Sequence, residues 1–223
     1  VTGTDARVGK TLVASSILSA ANARGLSTMG LMPVTTGCET TTDGLCSADA
    51  VLLQDTMSMK LAYQQINPVA LSQPVEPILA AENSGKRVVV SQLAGFCRGA
   101  LTQKADVTVV EGVGGWQTPL NRGETMAELA KALKLPVVLV VGIKSGCINH
   151  ALLTAGAILR DGLLLAGWVA NHVDAEAPYS HERAATLKAM LRAPCLGEIP
   201  ELTAPNPESG SKHLDLGQLL SAV

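Results

Sequence analysis

The chain has 223 residues, of which 47% are apolar and 16% charged, a composition that is typical of a folded protein and excludes a disordered one. Lysine and arginine number 17 against 19 aspartates and glutamates, for a net charge of −2. We therefore expect no nucleic-acid partner, since that function requires a basic surface. The length suits one domain, which we predict to cover residues 1–223.

The cysteines predict a reducing, cytoplasmic location. They are five in number and form no C-x-x-C pair, which argues against a disulfide framework and against a zinc site (Cys38, Cys46, Cys97, Cys147, Cys195). The histidines share no metal-ligand spacing either. Apolar runs such as Leu135–Ile143 fall short of the roughly 20 residues that cross a bilayer, so we expect neither a membrane span nor a signal peptide.

The first element in chain order is the loop VTGTDARVGKTL, followed by a helix predicted over Lys10–Arg24. Only two residues precede Gly3, so we expect the strand that feeds this loop to be truncated. The triplet Gly9-Lys10-Thr11 indicates a phosphate-binding loop, although five residues separate Gly3 from Gly9 where the usual pattern has four. Lys10 would reach the terminal phosphates of a nucleotide, and Thr11 would ligate Mg²⁺.

The remaining elements alternate between apolar runs and helical patterns, which predicts a doubly wound, mostly parallel α/β fold of the P-loop NTPase type. Strands are predicted in Thr28–Val34, Ala105–Gly114, Leu135–Ile143, Leu163–Val173 and Cys195–Pro200. Helices are predicted over Ser91–Lys104, Thr125–Leu133, Asn149–Arg160 and Ser180–Leu191. We interpret Asn67–Arg87 as an irregular excursion, and the tail after Pro200 as a loop before a short final helix.

Two acidic residues are candidate ligands of the metal. Glu111 ends an apolar strand and precedes glycines that let a ligand approach the backbone. Asp49 opens a helix and could supply a second oxygen. The alternatives are a solvated strand end for Glu111 and a helix-dipole contact for Asp49.

A second anion site is predicted where the strand Leu135–Ile143 joins the next helix through a glycine. The N–H groups of Ser145–Asn149 are free to bind an anion there, and Lys144 adds a positive charge. We interpret His150 as a helix-start or interface residue.

Taken together, these motifs resemble the dethiobiotin synthetase family along nearly the whole chain. The resembling stretches are VTGTDARVGKT, MPVTTGCETTTDGLCSADAVLLQ, INPVAL, VVEGVGGWQTPL, LPVVLVVGIKSGCINHALLTA, AGWVANHV and APCLGEIP. The loop of that family also carries five residues between its glycines, which accounts for the unusual spacing.

The resemblance implies a cytoplasmic ligase of biotin synthesis that uses ATP and Mg²⁺ and acts as a homodimer. Its substrates would be 7,8-diaminononanoate and CO₂ or bicarbonate. The substrate amine takes up CO₂ as a carbamate, ATP phosphorylates the carbamate, and the second amine displaces phosphate to close a cyclic urea.

By position, the resemblance also implies roles for individual residues. The catalytic positions are Lys10, Met32 and Thr36, and the metal ligands are Thr11, Asp49 and Glu111. Nucleotide contacts fall on Arg7, Val8, Gly9, Lys10, Thr11, Leu12, Asp49, Glu111, Gly112, Val113, Gly114, Asn171, His172, Pro200, Glu201, Leu202 and Glu208, with Asn171 reading adenine. The substrate would contact Thr36 and, through its carboxylate, Gly146, Cys147, Ile148 and Asn149 at a subunit interface.

Two positions depart from the family pattern. Met32 stands where the family has a lysine aimed at the carbamate and the γ-phosphate, and methionine cannot neutralise an oxyanion. Arg7 stands in the loop where an acidic residue is usual. We hypothesise that Arg7 partly replaces the missing lysine, because its guanidinium is a permanent cation with several donors.

Other functions stay open at this stage. Met32 also fits a slowed or inactive nucleotide-binding paralogue. A partition-type ATPase switch shares the loop architecture, but it usually carries an early loop lysine and a basic surface, and neither is present here. An ATP-dependent amide-forming ligase with another substrate is a further alternative, against which GCINHA argues.

Overall fold

The computed structural model describes residues 1–42, 44–174 and 177–222; the last position of the predicted domain, 223, lies outside them. The longer strands of the structure come from the five apolar runs predicted above. In chain order the strands are β1 (Thr2–Gly3), β2 (Thr28–Leu31), β3 (Val34–Thr35), β4 (Glu39–Thr41), β5 (Gly44–Cys46), β6 (Val69–Ala70), β7 (Val107–Val110), β8 (Val137–Ile143), β9 (Leu165–His172) and β10 (Cys195–Ile199). All five strand predictions are confirmed, with ends trimmed by a few residues.

The helices follow the predicted alternation. They are α1 (Lys10–Asn22), α2 (Ala48–Thr56), α3 (Tyr63–Ile66), α4 (Pro77–Asn83), α5 (Val90–Leu101), α6 (Met126–Leu133), α7 (Cys147–Arg160), α8 (Ser180–Met190), α9 (Pro207–Ser211) and α10 (Leu216–Ser221). The five long helices that the sequence predicts are confirmed as α1, α5, α6, α7 and α8. No helix in the described part of the chain is both long and apolar enough to span a membrane.

The central sheet is parallel. Its strand order is β1-β8-β9-β10, and β2 pairs with β7 in a second parallel pair. Val1 connects the two, because its amino group donates to the Val110 carbonyl at 2.7 Å and its own carbonyl accepts from Gly112 N–H at 3.0 Å. The carboxyl ends of β1, β7, β8 and β9 therefore meet at one edge, where such folds bind ligands.

Both faces of the sheet are covered, which explains the unbroken apolar runs. Every residue of β8 and β9 is buried. Alternate residues point to opposite faces: Val138 and Val140 pack with α1, whereas Leu139, Val141 and Ile143 pack with α7 and α8. This alternation decides on which side of the sheet each strand-end side chain lies.

An apolar cavity of about 230 Å³ lies between β7 and β8, below the end of β1. Its walls include Val109, Val138 and Leu133, together with Val1 and Thr2. β1 itself has two residues, far shorter than the seven of its neighbour β8.

Two predictions about irregular segments are wrong in part. The stretch Asn67–Arg87 contains the short strand β6 and the helix α4, which begins at Pro77, a position where proline suits a helix start. The tail after Pro200 forms α9 before the predicted final helix α10, because Asn206 caps it by accepting from Ser209 N–H at 2.8 Å.

Candidate active site

The glycine-rich loop between β1 and α1 is fastened to the end of β9. Asn171 Nδ2 donates to the Val8 carbonyl at 2.9 Å. Gly9 adopts φ +87°, and a Cβ on it would lie 2.1 Å from Asn171 Nδ2. Position 9 therefore requires glycine for two reasons, the left-handed backbone and the close approach of Asn171.

Lys10 lies inside the loop rather than in solvent. Its side chain is buried, and Nζ donates to the Asp5 carbonyl at 2.9 Å. Burial lowers the pKa of Lys10, while the negative charges of Glu111, Asp5 and Asp49 act in the opposite direction. The ammonium is thus held against the backbone of the loop and close to three carboxylates.

Glu111 is a buried carboxylate directly after β7. Thr11 Oγ1 donates to Oε1 at 2.8 Å, whereas Oε2 is buried and has no partner among the described residues. Burial raises the pKa of Glu111 to about 7; the Thr11 hydrogen bond lowers it, the Asp49 charge raises it and the Lys10 charge lowers it. Lys10 and the Val1 amino group are the nearby cations, and their charges do not outweigh the effect of burial on this pKa.

The three predicted metal ligands come together here. Asp49 lies in the first turn of α2, and its charge acts on both Lys10 and Glu111. Together with the Thr11 hydroxyl, the two carboxylates would supply oxygen donors only, which are the ligands that Mg²⁺ prefers. The orphaned Glu111 oxygen fits the same ion.

The predicted second anion site lies at the start of α7. Gly146 has φ +84° and caps the helix, and no side chain among the described residues accepts from the first N–H groups of the helix. The expectation that all these N–H groups are free is wrong at Cys147, whose N–H donates to the Lys144 carbonyl at 3.1 Å. Cys147 is buried, Ile148 is half-buried, and Asn149 is exposed. Lys144 Nζ lies 3.6 Å from Asp5 Oδ2, so this helix start is adjacent to the phosphate loop.

The segment that carries Thr36 is supported by a polar network that the sequence reasoning missed. The Thr35 hydroxyl donates to Asn67 Oδ1 at 2.9 Å, and Asn67 Nδ2 donates to the Met32 carbonyl at 2.7 Å. Tyr63 OH also donates to Asn67 Oδ1, at 2.9 Å. The stretch INPVAL contains Asn67, but nothing local in that stretch identifies its partners. Thr36 itself is half-buried.

The two departures from the family pattern occupy different environments. Met32 is 5% exposed and belongs to the apolar cluster that contains Leu61 and Ile66. Arg7 is exposed, has φ +56°, and its guanidinium makes no ion pair or hydrogen bond among the described residues. Arg7 is thus free to move toward an anion, whereas Met32 is held in the core.

Two of the glycines that follow Glu111 have structural roles. The N–H of Gly112 already donates to Val1, so it is not available to a ligand. Gly114 has φ +64°, and a Cβ there would lie 2.3 Å from Thr118 Oγ1. Val113 is half-buried between them.

The predicted nucleoside residues surround α1 and the ends of β9 and β10. Pro200 and Glu201 follow β10 and are exposed, and Leu202 packs on the core. Glu208 is exposed in the first turn of α9, which packs against α1 near Leu12 and the loop. Asn171 lies on the same face of the sheet as the loop.

The structure does not bring the His172 side chain to this group. It follows Asn171 in β9 and therefore points to the opposite face, where Nε2 lies 2.9 Å from Glu198 Oε1. Any contact of His172 with a loop-bound nucleotide is restricted to its main chain.

Comparison with known proteins assigns the chain to a family. Residues 1–209 match the model of a family described as AAA domain. The ATP-dependent dethiobiotin synthetase BioD of Cellvibrio japonicus is 52% identical over 222 residues, which cover 100% of this chain and 97% of the relative. The BioD of Pseudomonas paraeruginosa is 49% identical over 98% of this chain, and that of Marinobacter nauticus is 45% identical over 99%.

Solved structures support the fold assignment. The signal recognition particle receptor FtsY from Elizabethkingia anophelis, solved with GDP, matches with a TM-score of 0.51 over 97% of this chain and 60% of its own, at 13% sequence identity. At that identity the likeness concerns the fold alone. Because full-length relatives at 45–52% identity share one description, the chain belongs to the ATP-dependent dethiobiotin synthetase family.

Proposed function

We propose that this protein uses ATP and Mg²⁺ to convert 7,8-diaminononanoate and CO₂ or bicarbonate into dethiobiotin. The observation that carries the proposal is the convergence of Lys10, Thr11 and the Glu111 carboxylate beneath the glycine-rich loop, with Glu111 Oε2 buried and without a partner among the described residues. Family membership supplies the substrate, since the relatives are described as dethiobiotin synthetases.

The reaction requires positioning and charge neutralisation more than bond-making side chains. A substrate amine takes up CO₂ as a carbamate, and the carbamate oxygen attacks the γ-phosphorus of ATP, releasing ADP. The second amine then attacks the carbonyl carbon of the mixed anhydride, and phosphate leaves as the cyclic urea forms. Lys10, held over the loop, would donate to the γ-phosphate oxygens as their charge grows.

Thr11, Asp49 and Glu111 would hold the magnesium ion. When bound, Mg²⁺ neutralises phosphate charge. Glu111 would then be ionised, because a nearby cation offsets the burial that raises its pKa. Asp49 is exposed at the helix start and is free to approach the same ion.

Asn171 would read the adenine base. Its Nδ2 is already committed to the Val8 carbonyl. The Oδ1 atom is therefore left to accept a hydrogen bond from the exocyclic amine of adenine. This arrangement favours adenine over guanine, which carries a carbonyl at that position.

The carboxylate of the substrate would bind at the N–H groups that begin α7, and a second copy of the chain would complete this site. The outer surface of α7 supports a homodimer, since Leu153 and Leu159 are 64% and 57% exposed. We place the reaction in the reducing cytoplasm, which suits the five free thiols.

A second candidate is a slowed form of the same enzyme or a nucleotide-binding paralogue. Met32 favours it, because a buried thioether in an apolar cluster supplies no charge to the carbamate or to the γ-phosphate. Binding of Mg-ATP would survive in such a protein even where turnover does not.

The decisive experiment supplies purified protein with Mg-ATP, bicarbonate and 7,8-diaminononanoate and measures the cyclic urea by mass spectrometry. We expect product formation and a release of phosphate that requires all three substrates. Lys10→Ala should abolish both, whereas Lys104→Ala, a distant surface lysine, should leave them intact. Binding of Mg-ATP without any product would favour the non-catalytic paralogue, and phosphate release independent of the diamine would contradict the proposal.

A further inference from the structure

Two histidines and a glutamate converge on the sheet face opposite the phosphate loop. His172 ends β9, Glu198 lies in β10, and His181 lies in the first turn of α8. Nε2 of His172 lies 2.9 Å from Glu198 Oε1, and Nδ1 of His181 lies 3.5 Å from the same oxygen. All three atoms fall within 4.8 Å of one another.

These distances suit a small divalent ion. Ligand atoms that surround a tetrahedral ion at 2.0–2.1 Å lie about 3.3 Å from each other. The separations of 2.9 and 3.5 Å between the histidine nitrogens and Glu198 Oε1 bracket that value, and the two nitrogens lie within 4.8 Å of each other, so a rotation of the exposed His181 side chain would close the group around an ion. Two imidazoles with one carboxylate also form a donor set that binds zinc in known proteins.

The surroundings of Glu198 favour one oxygen as the ligand. Lys188 Nζ donates to Oε2 at 2.7 Å, which leaves Oε1 directed at the two histidines. An ordered outer partner of this kind is typical of ligating carboxylates.

The three ligands differ in how far they are buried, so that two are held rigidly and the third is accessible to a metal ion from solvent. The His172 side chain is 8% exposed, Glu198 is 27% exposed and His181 is 87% exposed. Two ligands are therefore fixed by the sheet, and the third lies at the surface, where it can close over an ion. Water can complete the coordination from the exposed side.

We propose that His172, His181 and Glu198 form a binding site for a divalent transition-metal ion of the Zn²⁺ type. The imidazole ligands exclude Mg²⁺ as the preferred occupant, because that ion selects oxygen donors. The site is separate from the oxygen-only group at the phosphate loop. It would join the start of α8 to the ends of β9 and β10, and it does not depend on the reaction proposed above.

The test is a calorimetric titration of the full chain with Zn²⁺ in the absence of nucleotide. We expect His181→Ala to weaken binding of one equivalent by more than about 100-fold, since loss of an outer partner alone costs 10–100-fold. His213→Ala is the matched control, because His213 is exposed but lies outside the cluster. Both variants keep the thiols, so zinc bound by cysteine cancels in the comparison.

A second measurement identifies the ligands. Co²⁺ bound by this cluster should give the visible absorption of a tetrahedral site, and that absorption should disappear in His181→Ala and in Glu198→Gln. The melting temperature of metal-free His181→Ala is recorded as well, so that any change in stability is separated from the loss of metal binding. Equal Zn²⁺ binding by wild type, His181→Ala and His213→Ala, or no binding by wild type at micromolar metal, would overturn the proposal and leave the cluster a simple ion-pair network.

Discussion

At the scale of single residues, the site depends on side chains whose environment differs from what their type suggests. Lys10 is a buried cation bonded to a backbone carbonyl, and Glu111 is a buried acid with one oxygen unpaired. Both arrangements cost free energy in the absence of a ligand, because burial disfavours the charged form of each group. Nucleotide and metal would supply the missing partners, so this strain favours binding.

Met32 gives the first prediction at this scale. Met32→Lys should raise turnover by about 10²-fold, since a cation that stabilises transition-state charge contributes on that order. Steady-state release of phosphate in the presence of diamine and bicarbonate measures the effect. The lysine must reach the site from the apolar cluster that now holds Met32, so the melting temperature should be recorded as well.

The companion variant tests the hypothesis that Arg7 compensates for Met32. Arg7→Glu should lower turnover in the wild-type background and have a smaller effect once Met32→Lys is present. Arg24, in the turn after α1, offers a control substitution of the same charge. If Arg7→Glu leaves activity unchanged, the compensation hypothesis is wrong.

Glu111 gives a pH-dependent prediction. Its pKa is about 7 in the folded chain and about 4.5 when exposed, so the folded state binds more protons between these values. The protonated carboxyl therefore stabilises the folded state fully below pH 4.5, and this stabilisation is lost as the pH rises to 7. The loss amounts to about 3 kcal/mol of unfolding free energy, at 1.36 kcal/mol for each unit of pKa difference. Urea denaturation of wild type against Glu111→Gln isolates this loss.

The measured quantity is the free energy of unfolding of Glu111→Gln minus that of wild type, and the prediction is that this difference grows with pH. We expect Glu111→Gln to become relatively more stable from pH 5 to pH 7 and the difference to level off above that range. A difference that is constant with pH would contradict the buried, uncompensated carboxylate. Addition of Mg-ATP should shrink the difference, because bound cations favour the ionised form.

At the scale of elements, two helix starts are candidate anion sites. α1 and α7 both begin after a glycine with positive φ that supplies no side-chain cap, although the Cys147 N–H at the start of α7 donates to the Lys144 carbonyl at 3.1 Å. α6 provides the contrast, because Thr125 and Glu128 form a capping box there. Uncapped starts at the carboxyl ends of strands are the features that an anion would complete.

The exposed face of α7 gives a prediction about assembly. Leu153→Lys should convert a homodimer into monomers and raise KM for the diamine, since the proposed carboxylate site begins the same helix. Sedimentation velocity measures the state of assembly. Phe96→Lys is the control, because Phe96 is 54% exposed on α5 and should leave the dimer intact. A Leu153→Lys protein that sediments like wild type would contradict the placement of the interface.

At the scale of the whole molecule, distant segments are coupled at the sheet edge. The Asn171–Val8 hydrogen bond joins residues 163 positions apart. Gly9→Ala should destabilise the chain through both backbone strain and the close approach of Asn171, whereas Gly25→Ala, at φ +75° with open space around it, has the strain alone. Thermal or urea unfolding of the two variants separates the effects.

A double-mutant cycle tests that coupling directly. Asn171→Ala should cost about 1–3 kcal/mol, because it leaves the buried Val8 carbonyl without its donor. When Asn171→Ala is already present, Gly9→Ala should lower the free energy of unfolding by little more than Gly25→Ala does. The coupling free energy between positions 9 and 171 should then be about 0.5–3 kcal/mol. Strictly additive costs would show that the 2.1 Å approach is relieved elsewhere.

The sequence by itself determined the parallel strands, the long helices, the phosphate loop and the family. These features are periodic or local: buried strands appear as unbroken apolar runs, and GKT with its glycines defines the backbone of the loop. The short helix α9 was not predicted because its only signals are the start residues Asn206, Pro207 and Ser209, with no apolar periodicity behind them. The helix α4 was not predicted because the prolines around it are typical of turns as well as of helix starts.

Only the tertiary structure decided which side chains meet. The two histidines of the cluster are nine positions apart with no metal-ligand spacing, yet strand alternation and the placement of α8 bring both to Glu198. The same alternation separates His172 from Asn171, its neighbour in the chain, and sends them to opposite faces of the sheet. Contacts of this kind depend on which elements pack together, and that is fixed by burial across the whole fold rather than by local residue patterns.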